Sequence, residues 1–307
     1  MGRIELWTEQ TAATSWDFGE PLRLANDTTQ TVYCGDAAEM SAVADSSVHL
    51  IITSPPYFNA KKYSESPLSG DLGNSASLAD WINGTRQVWK ECWRVLQPGR
   101  KAFINIMNLP VKTTAGSFRT LNLAGKIIDE CEELGFIFKR DIVWHKTNGV
   151  RAPFGTYPYP GGILLNNMHE FILEFEKPSS KAEALRKYAH ITKEIKDESR
   201  LDKEFWLQIK NSDVWTFAPQ GGGEKRNHPA PFPLELPSRL IRAFTFKGET
   251  VLDPFLGSGT TLISAAALGR NGIGYEINPL IARQALNSLE AENARQIDME
   301  SITKCNA

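Results

Sequence analysis

From residue 31 to residue 277 the chain alternates short apolar runs with amphipathic stretches, and this alternation narrows the fold more than any other feature of the sequence. TVYCGD (31–36) and VHLIITS (48–54) read as strands, with AAEMSAVAD between them as a helical connection. DWINGTRQVWKECWRVL (80–96) places Trp81, Val88, Trp89, Cys92, Val95 and Leu96 at helical spacing and stops at Gln97-Pro98-Gly99. KAFINIM (101–107) follows as a buried strand, and LAGKIIDECEELGF (123–136) as a helix closed by Gly135. FIFKRDIVW (136–144) and HEFILEFEK (169–177) are further strands. Later come a helix in LPSRLIRAFT (236–245), a strand in ETVLDPF (249–255), a helix in TLISAAALG and a strand in NGIGYEI (271–277). Strands alternating with helices predict an α/β fold, a mostly parallel sheet covered on both faces.

The rhythm breaks between Lys146 and Trp215. Residues 148–167 are rich in Gly, Pro and aromatics and read as an ordered loop. Residues 178–211 are charged and helical, either an insertion carrying partner contacts or a solvated helical surface. The balance of 34 basic against 36 acidic residues, net charge −2, argues against a protein dominated by non-specific phosphate binding. It leaves room for a basic cleft, for which Lys61, Lys62, Arg140, Lys146, Arg151, Arg186, Lys187, Lys225 and Arg226 are candidates; the alternative is an ordinary solvated surface. Cys34, Cys92, Cys131 and Cys305 form no CxxC or Cys/His cluster, so neither a zinc site nor a disulfide framework is suggested. With no apolar stretch of transmembrane length and no signal-peptide core in MGRIELWTEQ, reduced thiols in a cytoplasmic protein are expected.

Two stretches carry chemistry. In IITSPPYFNAKKY (51–63) an apolar run ends in Thr53, Ser54, Pro55, Pro56 and Tyr57. Each proline fixes its own φ and holds the residue before it extended. The result is a stiff stub with a hydroxyl and carbonyls in set directions, followed by an aromatic plate. It is either a strand terminator or a rigid holder for a flat ligand. In LDPFLGSGTT a buried strand opens into Gly257-Ser258-Gly259, and a helix begins at Thr260. No Gly-Lys-Ser/Thr follows, so this is not a P-loop, and Thr stands where a dinucleotide fingerprint has its third glycine. Glu276 ends the next strand, where a carboxylate grips ribose hydroxyls in nucleoside-binding α/β folds. The turn is either purely structural or one wall of an adenosine site that needs no pyrophosphate.

Together, TSPPY upstream of DPFLGSGTT resembles the beta-class DNA amino-methyltransferases of restriction-modification systems. The likeness runs from about Tyr33 to Glu290 and includes VYCGDA, WKECWRVLQPGRKAFINI, DIVWHK, HEFILEFEKP and HPAPFPLELPSRLI. It implies the sheet of S-adenosylmethionine-dependent methyltransferases, circularly permuted, with an inserted target-recognition region. It implies a catalytic domain over 31–177 and 212–295, target recognition within 146–215, an N-terminal extension at 1–30 and a C-terminal tail at 296–307. The cofactor, S-adenosyl-L-methionine, would lie among Thr53, Asp253, Phe255, Gly257, Ser258, Gly259 and Thr260, with Glu276 on the ribose and Asp36 by the adenine. Pro231, Phe232 and Pro233 would complete its wall, and Ser54, Pro55, Pro56 and Tyr57 would form the base pocket. The partner implied is double-stranded DNA in a prokaryotic cytoplasm, at the nucleoid and without a membrane, with a homodimer and a companion endonuclease left open.

The chemistry fits the stub. A target amine inside a duplex must be extruded to be reached. Its lone pair is delocalised into the ring, and acceptors on its two N–H bonds would draw the nitrogen toward tetrahedral geometry. Ser54 Oγ and the Pro55 carbonyl would be those acceptors, made rigid by the prolines. Tyr57 would stack on the flipped base. A small-molecule or protein methyltransferase has no evident need for Pro-Pro-Tyr, and a non-catalytic nucleic-acid-binding module has none for the acid at 276. Serine at the first motif position is commoner among the family's N4-cytosine enzymes, so cytosine is expected, with N6-adenine as the alternative.

Overall fold

A computed structural model describes residues 17–58, 68–112, 118–147, 160, 165–219 and 232–305 of the chain. Strands β1 (Pro21–Arg23), β2 (Thr29–Cys34) and β3 (Val48–Thr53) come first, followed by helix α1 (Leu78–Val95) and the long strand β4 (Leu96–Ile106). A hairpin, β5 (Leu109–Lys112) and β6 (Phe118–Leu121), leads to α2 (Leu123–Glu133), β7 (Ile137–Lys146) and β8 (His169–Glu176). Three short helices follow: α3 (Lys181–Arg186), α4 (Lys193–Glu198) and α5 (Lys203–Asn211). The chain closes with β9 (Val214–Phe217), α6 (Glu235–Phe244), β10 (Thr250–Asp253), α7 (Thr260–Ala267), β11 (Asn271–Glu276) and α8 (Pro279–Cys305).

Nine strands form one sheet in the order β1-β2-β11-β10-β3-β4-β8-β7-β9. Its centre, β2 through β4, is parallel. β8 is antiparallel to both β4 and β7, while β9 returns parallel to β7. The mostly parallel α/β architecture is therefore as the alternation predicts. β3 and β10 pair as parallel neighbours although residues 54–249 separate them in sequence. Helices α1 and α2 bury Trp81, Val88, Trp89, Leu123 and Ile127 against one face. Leu236, Leu240 and Ile241 of α6 and Ala265 of α7 cover the other, and α7 meets α8 through Leu262, Ala266, Ala282 and Leu286.

One expectation fails. AAEMSAVAD is a run of turns and not a helix. Its backbone is held from α1: Met40 N–H donates to Glu91 Oε2 (2.9 Å), and the Arg94 guanidinium donates to the carbonyls of Met40 and Val43 (2.8 Å each). Tertiary hydrogen bonds thus replace the intrahelical ones, while Met40 and Val43 still reach the core. The charged stretch 178–211 is helical but broken in three, because Ser180, Thr192 and Asp202 each cap a new N-terminus. This stretch packs at the amino ends of the parallel strands. Lys187 donates to the Gly99 carbonyl, Lys247 N–H donates to Ser199 Oγ (2.9 Å), and Arg242 pairs with Asp202 (3.1 Å). His190 lies 3.0 Å from Glu249, which also holds the Arg100 guanidinium.

Candidate functional site

The carboxyl ends of β3 and β10 are where the chain departs in opposite directions. β3 leads to α1 on one face of the sheet, and β10 leads to α7 on the other. Such a switch point opens a crevice above the sheet. Both stretches singled out in the sequence end there.

A single hydrogen bond joins them: Thr53 Oγ1 donates to Asp253 Oδ1 at 2.7 Å, between residues 200 apart in sequence. Thr261 Oγ1 donates to Asp253 Oδ2 (2.6 Å), and Phe255 N–H donates to Oδ1 (3.1 Å). Asp253 is only 1% exposed. Burial pushes its carboxyl up to about 6, against the opposing bonds from Thr261, Thr53 and Phe255. Thr53 and Asp253 are thus enclosed, and they fix the turn and the stub relative to each other. Gly257 (φ 54°) and Gly259 (φ 88°) are left-handed, as the sharp turn demands. Gly259 has a second reason to be glycine: an added Cβ would stand 3.2 Å from Ala285 Cβ on α8. The close approach at this position is to another helix. Ser258 Oγ lies 3.4 Å from Thr260 Oγ1, and the Phe255 ring stands edge-on to Trp89 at 5.9 Å.

Glu276 ends β11 beside this turn. Its Oε2 accepts from Gly257 N–H (3.0 Å) and its Oε1 from Asn278 N–H (2.9 Å). Each oxygen keeps one lone pair for a further donor. Burial pushes the carboxyl up to about 6, with both N–H bonds acting the other way. Asp36 follows β2, the neighbour of β11, and accepts from Ala38 N–H (2.9 Å). It stands so close to Gly70 that an added Cβ there would lie 2.6 Å from Asp36 Oδ2 and 2.9 Å from Ile277 Cδ1. The chain at Gly70 therefore lies against the Asp36 side chain.

The stub at 54–57 is clamped to α1 through Trp81 Nε1, which donates to the Pro56 carbonyl at 2.8 Å. Pro55 is buried, and Ser54, Pro56 and Tyr57 are half-buried. Phe232 packs beside the cluster around Leu50, Ile52 and Trp144 on the α6 face; Pro231 lies outside the described residues, and Pro233 is half-buried. The sequence reading did not find the group at the Tyr57 hydroxyl. Tyr57 donates to Glu170 Oε2 (2.8 Å), Asn105 Nδ2 donates to the same oxygen (2.6 Å), and Lys146 Nζ donates to Oε1 (2.8 Å). One signal was available: Glu170 and Glu174 fall on the same face of a strand as the fully buried Ile172. An acid there needs a partner.

Of the basic candidates, Lys61, Lys62, Arg151, Lys225 and Arg226 lie outside the described residues. Lys146 and Arg140 pair with Glu170 and Glu174 (2.8 and 3.3 Å), and Lys187 holds the Gly99 carbonyl. Cys34, Cys92 and Cys131 are free thiols, the last two buried. Among the described residues, His49, His190 and Glu249 gather ligand-type atoms within 4.8 Å. They sit at the amino ends of the strands, with Glu249 held by Arg100 and His49 Nδ1 accepting from Thr250 N–H (3.0 Å). Among the described residues no helix is long and apolar enough to cross a membrane.

The site can hold a nucleoside along Asp36, Glu276 and the glycine turn, and a flat group against the stub, side by side. Residues 48–287 match the family model for DNA methylases of the N6/N4 type. The chain is 35% identical to the type II methyltransferase M.MjaI of Methanocaldococcus jannaschii, over 82% of this chain and 88% of that one. It superimposes with a TM-score of 0.67 on TTHA0409 of Thermus thermophilus, provisionally assigned as a DNA modification methylase and solved with S-adenosyl-L-methionine. The two are 34% identical, with 86% of this chain and 95% of that chain covered. The PvuII DNA methyltransferase (cytosine-N4-specific) shares the fold at 18% identity and a TM-score of 0.62, over 91% of this chain and 96% of that one. With the family model spanning most of its length, the chain belongs to the DNA methylases that modify amino groups of bases, the N6-adenine and N4-cytosine enzymes.

Proposed function

We propose that the protein moves a methyl group from S-adenosylmethionine to the exocyclic N4 of a cytosine flipped out of double-stranded DNA. The observation that carries this reading is the Thr53–Asp253 bond (2.7 Å), which sets Ser-Pro-Pro-Tyr directly beside the glycine turn. The residues present fit the cofactor. Glu276 has one free lone pair on each oxygen for the two ribose hydroxyls. Phe255 and Phe232 offer apolar walls, and Asp36 stands against Gly70 at the far end. Asp253 and Thr53 act behind this surface by fixing its shape. When bound, the cofactor supplies a sulfonium methyl as the electrophile.

Ser54 Oγ and the Pro55 carbonyl accept the two N–H bonds of the target amine. With both N–H bonds so held, the nitrogen lone pair would be the nucleophile toward the sulfonium methyl, with the S–CH3 bond breaking to release S-adenosylhomocysteine and the surplus amine proton passing to water. The prolines and the Trp81 clamp on the Pro56 carbonyl keep these acceptors from relaxing toward solvent, which is the preorganisation such a step requires. Ser54 is neutral and accepts more weakly than a carboxylate, and serine is the residue commoner at this position among N4-cytosine enzymes.

The test offers tritiated S-adenosylmethionine to DNA, RNA and protein in parallel, followed by nucleoside mass spectrometry of the labelled nucleic acid. Label in DNA as 4-methylcytosine is the expected result. 6-Methyladenine would overturn the choice of base, and label confined to protein or a small molecule would overturn the DNA assignment.

A further inference from the structure

We infer that Glu170 is a positioning residue for the base platform: its buried carboxylate holds the Tyr57 hydroxyl and so fixes the ring on which a flipped base stacks. The inference rests on the function proposed above and adds a part that neither the Ser-Pro-Pro-Tyr stub nor the glycine turn supplies.

Four chain segments meet at this carboxylate. Tyr57 comes from the stub after β3, Asn105 from the end of β4, Lys146 from the end of β7, and Glu170 from the start of β8. Glu170 is 9% exposed and Asn105 2%. One oxygen receives Tyr57 Oη–H (2.8 Å) and Asn105 Nδ2 (2.6 Å), and the other receives Lys146 Nζ (2.8 Å). Asn105 Nδ2 also lies 3.5 Å from the Tyr57 hydroxyl. Because the carboxylate only accepts, Asn105 must turn its amide nitrogen toward it, which fixes the Asn105 side chain as well.

Stability alone does not explain such a group. A buried ion pair repays its desolvation only when its geometry is good, and apolar residues of the same volume commonly serve a core as well or better. Position does explain it. A tyrosine ring tethered only at Cα can swing about χ1 and χ2, and a stacking plate must not. Hydrogen-bonding its far end to a carboxylate that is itself held from three strands removes that swing. The attitude of the ring then follows the sheet and no longer the loop that carries it. Lys146 Nζ holds the second oxygen at 2.8 Å, and in this role it is an internal counter-ion.

The test is a double-mutant cycle on the full chain. Tyr57→Phe keeps the ring and deletes the tether, Glu170→Ala deletes the anchor, and Glu170→Gln keeps an acceptor for the hydroxyl. Tyr57→Phe and Glu170→Ala are each expected to lower kcat about tenfold, the scale on which small misplacements act. KM for DNA and S-adenosylhomocysteine affinity should stay within about twofold, since both changes act on the Tyr57 hydroxyl tether and leave the Thr53–Asp253 and Glu276–Gly257 bonds in place. The double variant should be no slower than Glu170→Ala, and Glu170→Gln should recover most of kcat. Emission of 2-aminopurine at the target position should rise equally in Tyr57→Phe and Glu170→Ala, a readout that a merely structural role leaves unmoved. Losses that multiply in the double variant, or full kcat in Tyr57→Phe, overturn the inference while wild-type methylation of DNA keeps the function standing. Absence of DNA methylation by the wild-type chain overturns the function and the inference with it. If Glu170→Ala fails to fold, the cycle runs with Glu170→Gln: recovery of kcat in it beside a slow Tyr57→Phe supports the tether, and a loss in Glu170→Gln that multiplies with that of Tyr57→Phe overturns it.

Discussion

Two carboxylates at the glycine turn behave differently, although burial pushes both up to about 6. Asp253 accepts from Thr53, Thr261 and the Phe255 N–H, whereas Glu276 accepts, among the described residues, from two backbone N–H groups. Ionised, the carboxylate offers both oxygens as strong acceptors to the two ribose hydroxyls, so cofactor affinity should track the ionisation of Glu276. Titrating S-adenosylhomocysteine by calorimetry should give binding about tenfold weaker at pH 5 than at pH 7, with a midpoint near 6. Glu276→Gln should flatten that dependence and weaken binding by about 1–3 kcal/mol; a pH profile unchanged in the variant removes Glu276 from the ribose. For folding the sign is opposite. A folded pKa raised from 4.5 to about 6 gives Glu276 a stabilising contribution that is complete below 4.5 and lost as pH rises through 6. Ser54 makes the complementary case. Ser54→Ala should abolish most methyl transfer and leave S-adenosylhomocysteine affinity within about twofold, because in the proposed mechanism its hydroxyl serves the amine and not the cofactor. Full turnover in Ser54→Ala would end the acceptor role.

Elements, more than single residues, hold the site in register. α1 does so through Trp81, fully buried, whose indole N–H reaches the Pro56 carbonyl at 2.8 Å. Trp81→Phe should cost about 1–3 kcal/mol in urea unfolding, from a lost bond and a small cavity. It should also slow turnover without touching cofactor affinity; a drop in stability with unchanged kcat would make the clamp purely structural. α8 braces the other side, and Gly259→Ala, with its φ of 88° and a Cβ 3.2 Å from Ala285, should destabilise by about 1–3 kcal/mol. What the sequence made legible at this scale was whatever depends on period and punctuation. The apolar stripe of α1, the buried strands and the two motif turns could all be read from local pattern. AAEMSAVAD could not, because its conformation is decided by Glu91 and Arg94 from another element. For Glu170 the need of a partner could be read from its place on a buried strand face, but not which partners: Tyr57, Asn105 and Lys146 become its neighbours only once β3, β4, β7 and β8 share a sheet.

The whole sheet also sorts the region expected to read DNA sequence, residues 146–215, into two ends. β7 ends at Lys146, and β8 begins at His169 opposite His145. The chain between them therefore leaves and re-enters on the side where β3 and β4, paired through β8, bring Tyr57 and Asn105 to Glu170. β9 also runs toward that side, ending with Phe217 opposite Lys146. Helices α3, α4 and α5 lie at the other end, tied to Gly99, Lys247, Arg242 and Glu249 where the parallel strands begin. Each strand rises about 3.3 Å per residue, so the length of the strands separates these helices from Tyr57 and Glu170. Base edges are read by side chains in a groove beside the extruded nucleotide. The reading function should accordingly divide. Replacing residues 147–168 by the corresponding segment of a relative should change the methylated sequence and leave the modified base the same. Replacing residues 181–211 should leave the methylated sequence unchanged and affect stability alone, through the contacts to Gly99 and Glu249. Single-molecule sequencing of DNA from cells expressing each chimera measures both. A new target sequence in the second chimera, or an unchanged one in the first, would show that recognition lies outside the end of the sheet where the base is held.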